Sequence, residues 1–154
     1  LNIIKDKSFF KKITNISGGE TAGIPFSSFL SSKLNLPMTY IRKEKKKFGK
    51  KSQIEGIMTK NDHVILVEDL ITDGGSKLEF LRAIENSGAK IEAIFVIFNY
   101  GIFQDFFNYK KKKINLISLT NWKCILEVVE NKKILTSDEL SIVKNFLETL
   151  NIKN

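Results

Sequence analysis

Two adjacent acids followed by a turn of small residues give the strongest chemical signal in this chain. Glu68 and Asp69 close the apolar run at residues 64–67. Leu70 and Ile71 follow, then Thr72-Asp73-Gly74-Gly75-Ser76. Carboxylates in such a place suit sugar hydroxyls or Mg²⁺. A glycine-rich turn lets backbone N–H groups approach a phosphate, and a following helix turns its positive end on the same anion. One ligand with both features is a phosphorylated ribose.

The elements needed to hold these residues are legible around them. Residues 64–67 are short, β-branched and unbroken, the pattern of a fully buried parallel strand. From residue 76 to 87, Leu78, Leu81 and Ala83-Ile84 recur at helical spacing, and Gly88 marks the stop. Open α/β sheets bind ligands beyond the carboxyl ends of their strands, where this acid pair falls. The expected fold is therefore α/β, a Rossmann-like central parallel sheet flanked by helices.

A second loop of the same kind lies upstream. Residues 13–16 read as a strand, Ser17-Gly18-Gly19 as a turn, and residues 21–34 as a helix with Pro25 in its first turn. Ile24, Phe26, Phe29, Leu30 and Leu34 suggest a broad buried face. Residues 38–42 read as the next strand. The stretch from 42 to 51 then holds seven basic residues and one acid. It is too densely charged to hold a helix, and a polyanion is its best partner.

Residues 53–58 suggest a short returning strand and 91–98 another buried one. Residues 104–109 read as helical, Lys110 to Lys113 as a helix end and solvated turn, and 114–119 as the last strand. Thr120-Asn121 can cap a helix through 129. Ser137 opens another, with Leu140, Val143, Phe146, Leu147 and Leu150 on one face. His63, Trp122 and Cys124 read as structural.

Composition narrows the function classes. A chain of 154 residues, 42% apolar and 27% charged, fits one domain, 1–154, with a real core. No apolar run approaches the roughly 20 residues that cross a bilayer, so no membrane partner is expected. One cysteine gives no intrachain disulfide. The net charge of +8 is concentrated in residues 42–51 and 110–113, which points to a local anion site rather than nucleic acid. A cytoplasmic protein is the expectation.

The run VEDLITDGGS resembles the phosphoribosyl-pyrophosphate (PRPP) signature of type I phosphoribosyltransferases. With Gly18-Gly19-Glu20-Thr21-Ala22-Gly23-Ile24-Pro25, and Arg42-Lys43 running to Phe48-Gly49 and Glu55-Gly56, it resembles orotate phosphoribosyltransferase. That resemblance implies transfer of 5-phosphoribosyl from PRPP to orotate, giving orotidine 5′-monophosphate and pyrophosphate, with Mg²⁺. Asp69 and Glu68 would hold the ribose hydroxyls, directly or through Mg²⁺ carried mainly by PRPP. Thr72, Gly74, Gly75 and Ser76 would wrap the 5′-phosphate, with Asp73 pointing outward or capping the next helix. Thr21 and Ala22 would meet the pyrophosphate. Arg42, Lys43 and Lys46 would be catalytic-loop residues reaching the neighbouring site of a homodimer.

Thr72 stands where purine enzymes of this kind often carry an acid, which favours the orotate branch. Three departures bear on the details. Ala22 replaces a common lysine, Phe48 a common histidine, and no arginine follows the 91–98 strand to meet a base carboxylate. The family's additional N-terminal segment over the base is also missing, so the chain reads as truncated or minimal. A phosphoribosyltransferase for another nucleobase, or a non-catalytic PRPP-binding regulator, stays open.

Overall fold

The computed structural model describes residues 2–44, 52–103, 105–150 and 152. Within them the strands are β1 (Asn15–Gly19), β2 (Met38–Ile41), β3 (Ile54–Glu55), β4 (His63–Ile71), β5 (Lys90–Asn99), β6 (Phe106–Tyr109) and β7 (Lys112–Asn121). The helices are α1 (Asn2–Lys5), α2 (Gly23–Leu34), α3 (Gly75–Asn86), α4 (Trp122–Asn131) and α5 (Ser137–Thr149). The strands form one sheet in the order β3-β2-β1-β4-β5-β7-β6. The inner strands pair in parallel, and β3 and β6 close the edges antiparallel. This is the α/β sheet expected from residues 64–67.

Strand β4 is central because both its faces are apolar. Val64 and Leu66 pack with Phe80, Leu81 and Ile84 of α3. Ile65 and Val67 point the other way, into a cluster with Ile4, Phe9 and Ile16. All four strand residues are fully buried, each contributing about 2 kcal/mol of apolar transfer. A third cluster, Leu126, Leu147 and Ile152, joins α4 to α5. No helix among the described residues is long and apolar enough to cross a membrane.

Four local expectations are corrected. Ser17-Gly18-Gly19 is not a turn: it belongs to β1, paired with β2 and β4. Missing side chains there reflect close packing, since a Cβ on Gly18 would lie 2.4 Å from Ser27 Oγ. Helix α2 begins at Gly23 and buries Gly23 and Ser27, leaving Phe29 74% and Phe26 38% exposed. Its sheet-facing side joins these small residues to Leu30 and Leu34, which pack against the cluster of Ile16, Ile65 and Val67, so the buried face is narrower than expected and leaves out Phe26 and Phe29. On α5, Leu147 is buried and Leu140 and Val143 pack against it, but Phe146 and Leu150 are exposed.

The fourth correction is at residues 106–113, which form a hairpin rather than a helix and its end. Phe106 and Asn108 face out while Phe107 and Tyr109 face in, a period of two. Tyr109 pairs with Lys112 across the turn, and Lys110 takes φ 54° in it. The caps are as expected at α4, where Asn121 Oδ1 accepts from the Cys124 N–H at 2.9 Å. Helix α5 is capped one residue earlier, by a Thr136–Glu139 capping box.

Candidate active site

Strand order brings three loops together. β1 lies between β2 and β4, with Gly19 opposite Ile41 and Gly18 opposite Val67. Residues one or two steps further on, Glu20, Arg42, Glu68 and Asp69, therefore emerge side by side at the carboxyl edge. The Glu20 N–H donates to Ile41 O at 2.9 Å, tying the first two exits. The β1–α2 connection is Glu20-Thr21-Ala22, with a cis Glu20–Thr21 peptide; Thr21 and Ala22 are exposed.

The glycine turn expected to meet a phosphate follows β4. Gly74 takes φ 79°, a left-handed conformation that a side chain disfavours. Space demands glycine there too, because a Cβ would lie 2.3 Å from the Phe107 ring. Gly75 and Ser76 are exposed at the first turn of α3, offering N–H and hydroxyl groups to an anion. Asp73 Oδ1 already accepts from the Gly75 N–H at 3.0 Å and from Thr72 Oγ1 at 3.4 Å. Asp73 is thus both exposed and bonded to the first turn of α3, so the two placements expected for it coincide.

The two acids differ in their surroundings. Asp69 is half-buried and no described residue gives it a hydrogen bond or ion pair. Glu68 is 5% exposed, and its Oε2 accepts from Lys77 Nζ at 2.6 Å. Burial pushes the Glu68 carboxyl up, and the Lys77 ammonium pulls it back. Its other oxygen, Oε1, lies under the β1–α2 loop: a Cβ on Gly19 would stand 2.2 Å from it and one on Gly23 2.6 Å. Glycine at both positions is what lets the carboxylate fit.

The root of the basic segment is clamped. The Arg42 N–H donates to Gln53 O at 2.8 Å, and Gln53 Nε2 returns a bond to Arg42 O at 3.0 Å. The Arg42 guanidinium lies 3.5 Å from Glu55 and 3.9 Å from Glu20. The Lys43 N–H donates to Glu20 Oε2 at 2.9 Å. Beyond this root, Lys46 and Phe48 lie outside the described residues.

The chain that carries this acid pair and these two loops has counterparts among known proteins. The sequence matches the phosphoribosyl transferase domain over residues 2–133. The chain belongs to that family. Among its relatives, the orotate phosphoribosyltransferase of Dinoroseobacter shibae is 43% identical over 139 residues, 90% of this chain and 62% of that protein. That of Listeria innocua is 37% identical over 142 residues, 92% of this chain and 68% of that protein. The chain thus spans less than two thirds of the length of several of these relatives.

Solved structures agree on the fold. Leishmania donovani UMP synthase superposes with TM-score 0.76 at 22% identity, over 96% of this chain and 31% of that one. Orotate phosphoribosyltransferase from Aeropyrum pernix gives 0.65 at 22% identity, over 84% and 73%. The type I phosphoribosyltransferase fold expected from the sequence is the fold of this family member.

Other expected residues are distributed as follows. Phe98, Tyr100 and Trp122 pack edge to face, with centroids 5.2 to 6.1 Å apart. A cavity of about 550 Å³ opens beside the ends of β5 and β7, lined in part by Asn99, Gly101, Asn121 and Trp122. His63 lies at the far end of β4, its Nδ1 2.5 Å from Glu92 Oε1, consistent with a structural role.

Sequence reasoning missed Lys77, Glu20 and Glu55. Only Lys77 left a signal: it sits three, four and seven residues before Phe80, Leu81 and Ile84, on the apolar stripe of α3.

Proposed function

We propose that this chain acts as an orotate phosphoribosyltransferase in pyrimidine (UMP) biosynthesis. It transfers the 5-phosphoribosyl group of PRPP to orotate, giving orotidine 5′-monophosphate and pyrophosphate. The carrying observation is the half-buried Asp69, with no hydrogen bond or ion pair from any described residue, set between a turn whose Gly75 and Ser76 are exposed and a second loop at the end of β1. Relatives of 37 to 44% identity bear this activity in their names.

In this reading Thr72, Gly74, Gly75 and Ser76 hold the 5′-phosphate, and Asp69, with Glu68 behind it, holds the ribose hydroxyls. Thr21 and Ala22 present backbone to the pyrophosphate. The bond from the anomeric carbon to pyrophosphate breaks as the bond to the base nitrogen forms, through an oxocarbenium-like state. Carboxylate charge beside the ring stabilises that state. Arg42, Lys43 and Lys46 offset the charge gathering on pyrophosphate.

Among the described residues no group of three or more His, Cys, Asp or Glu is placed to hold a metal. The Mg²⁺ of this reading would be carried mainly by PRPP, with Asp69 and Glu68 as the protein carboxylates that could meet it. When bound, it makes pyrophosphate a better leaving group. The reading also includes a single domain and a cytoplasmic homodimer whose basic loop reaches the neighbouring site.

One observation favours a second reading, a phosphoribosyltransferase for another base: Asn99-Tyr100-Gly101, at the end of β5, carries no cation for a base carboxylate. Pyrophosphate release from PRPP and Mg²⁺, with orotate, uracil, adenine or hypoxanthine supplied in turn, separates the two. Orotate alone supporting release is the expected result. Release with a different base and none with orotate would move the assignment to that base.

A further inference from the structure

We propose that Lys77 is a positioning residue that presets the Ser76 hydroxyl as a phosphate donor while neutralising Glu68 beneath the second anion loop. The proposal rests on the phosphoribosyl reading above and adds a residue to it.

The geometry is specific. Lys77 is 4% exposed, and lysine is almost never buried without a partner. Its Nζ donates to Glu68 Oε2 at 2.6 Å and to Ser76 Oγ at 3.2 Å. An ammonium has three donors and no acceptor, so in that second bond the Ser76 oxygen must accept. The hydroxyl's own proton is left free to point outward, and Ser76 is exposed at the first turn of α3. A 5′-phosphate arriving there meets an oriented donor rather than a freely rotating one.

The same ammonium acts on the other side. Glu68 Oε1 lies within 2.2 to 2.6 Å of where side chains on Gly19 and Gly23 would begin. These glycines flank Glu20-Thr21-Ala22, the loop assigned to pyrophosphate. An unpaired carboxylate there would repel a polyanion. Paired with Lys77, it gives the loop a net-neutral floor, and Asp69 remains the free acid of the pair.

The test must separate positioning from folding, because removing one member of a buried pair leaves an unpaired charge. Lys77→Met and Glu68→Gln are therefore introduced together, so that no lone charge remains, and the paired change is compared with the wild type both with and without Ser76→Ala. Ribose 5-phosphate is titrated calorimetrically into each variant of the 154-residue chain and into the wild type. With Ser76 present, the paired Glu68→Gln and Lys77→Met change weakens ribose 5-phosphate by about tenfold. With Ser76→Ala, the same step costs less than about twofold.

A general structural loss would lower both backgrounds equally, so the ratio between them is the readout. Equal losses, or none, overturn the positioning role while wild-type binding keeps the phosphoribosyl reading intact. A wild-type chain that binds neither ribose 5-phosphate nor PRPP overturns that reading, and this proposal with it.

Discussion

The Arg42 guanidinium stands 3.9 Å from the Glu20 carboxylate, so the cation at the root of the basic segment faces an acid on the neighbouring anion loop. The Lys43 N–H, 2.9 Å from the same carboxylate, adds a second tie. Glu20 therefore holds the root of the segment in place and also sets a negative charge where pyrophosphate is assigned. Glu20→Gln keeps an acceptor and removes the charge. PRPP is expected to bind up to about fivefold tighter at low ionic strength, the gain shrinking as salt is added. Weaker binding at every salt concentration would show that the tie matters more than the charge.

Gly19 is packed from below by Glu68 and Phe80. A methyl at Gly19 would start 2.2 Å from Glu68 Oε1 and 2.6 Å from Phe80 Cε2. Gly19→Ala is expected to cost about 1–3 kcal/mol of stability, read by chemical denaturation, and to weaken PRPP in the folded fraction. A variant as stable as the wild type would contradict this packing.

Asp73 occupies a donor that a phosphate would use, since its Oδ1 accepts from the Gly75 N–H at 3.0 Å. Replacing it by asparagine removes a charge beside the phosphate turn. Ribose 5-phosphate should then bind about two- to fivefold tighter at low salt, as followed by calorimetry. Unchanged affinity would place the ligand away from this turn.

Asp62 ties the start of β4 to the start of β1. Burial alone would push its carboxyl up, but bonds from the Thr59 N–H (2.6 Å), Thr14 Oγ1 (2.8 Å) and Thr59 Oγ1 (3.0 Å) outweigh this and hold it below the ordinary carboxylate value. A lowered folded pKa contributes stability that is complete above the unfolded value and lost as pH falls through the folded one. Asp62→Asn should lower stability at neutral pH by about 0.5–1 kcal/mol after solvent screening. It should also flatten the loss of stability below about pH 4. An unaltered acid limb in denaturation measured from pH 2 to 7 would contradict this account.

The parts of this site that sequence revealed are those encoded locally. Residues 64–67 announce a buried strand by being uniformly apolar, and Gly74-Gly75-Ser76 announce a turn by composition. Ser17-Gly18-Gly19 misleads for the same reason. Its glycines suggest a turn, yet they answer to Ser27, Glu68 and Phe80, which arrive from elsewhere in the chain. Phe26 and Phe29 mislead on α2 because they are apolar but do not face the sheet. Phe106 to Tyr109 alternate in burial but not in composition, because the exposed Phe106 is apolar, so the strand shows no period of two in the sequence. Lys77 was hidden by the expectation that lysine is solvated. Its burial is visible only with Glu68 in place.

The most direct measurement is calorimetric titration of PRPP with Mg²⁺ into the full chain, followed by orotate into that complex, with pyrophosphate assayed in the cell. The account predicts that PRPP binds, that orotate binds to the PRPP complex, and that pyrophosphate is released. A chain that binds no PRPP would contradict the phosphoribosyl site itself. PRPP binding without orotate binding or pyrophosphate release would contradict the orotate assignment and leave the phosphate turn and Asp69 in the service of another reaction.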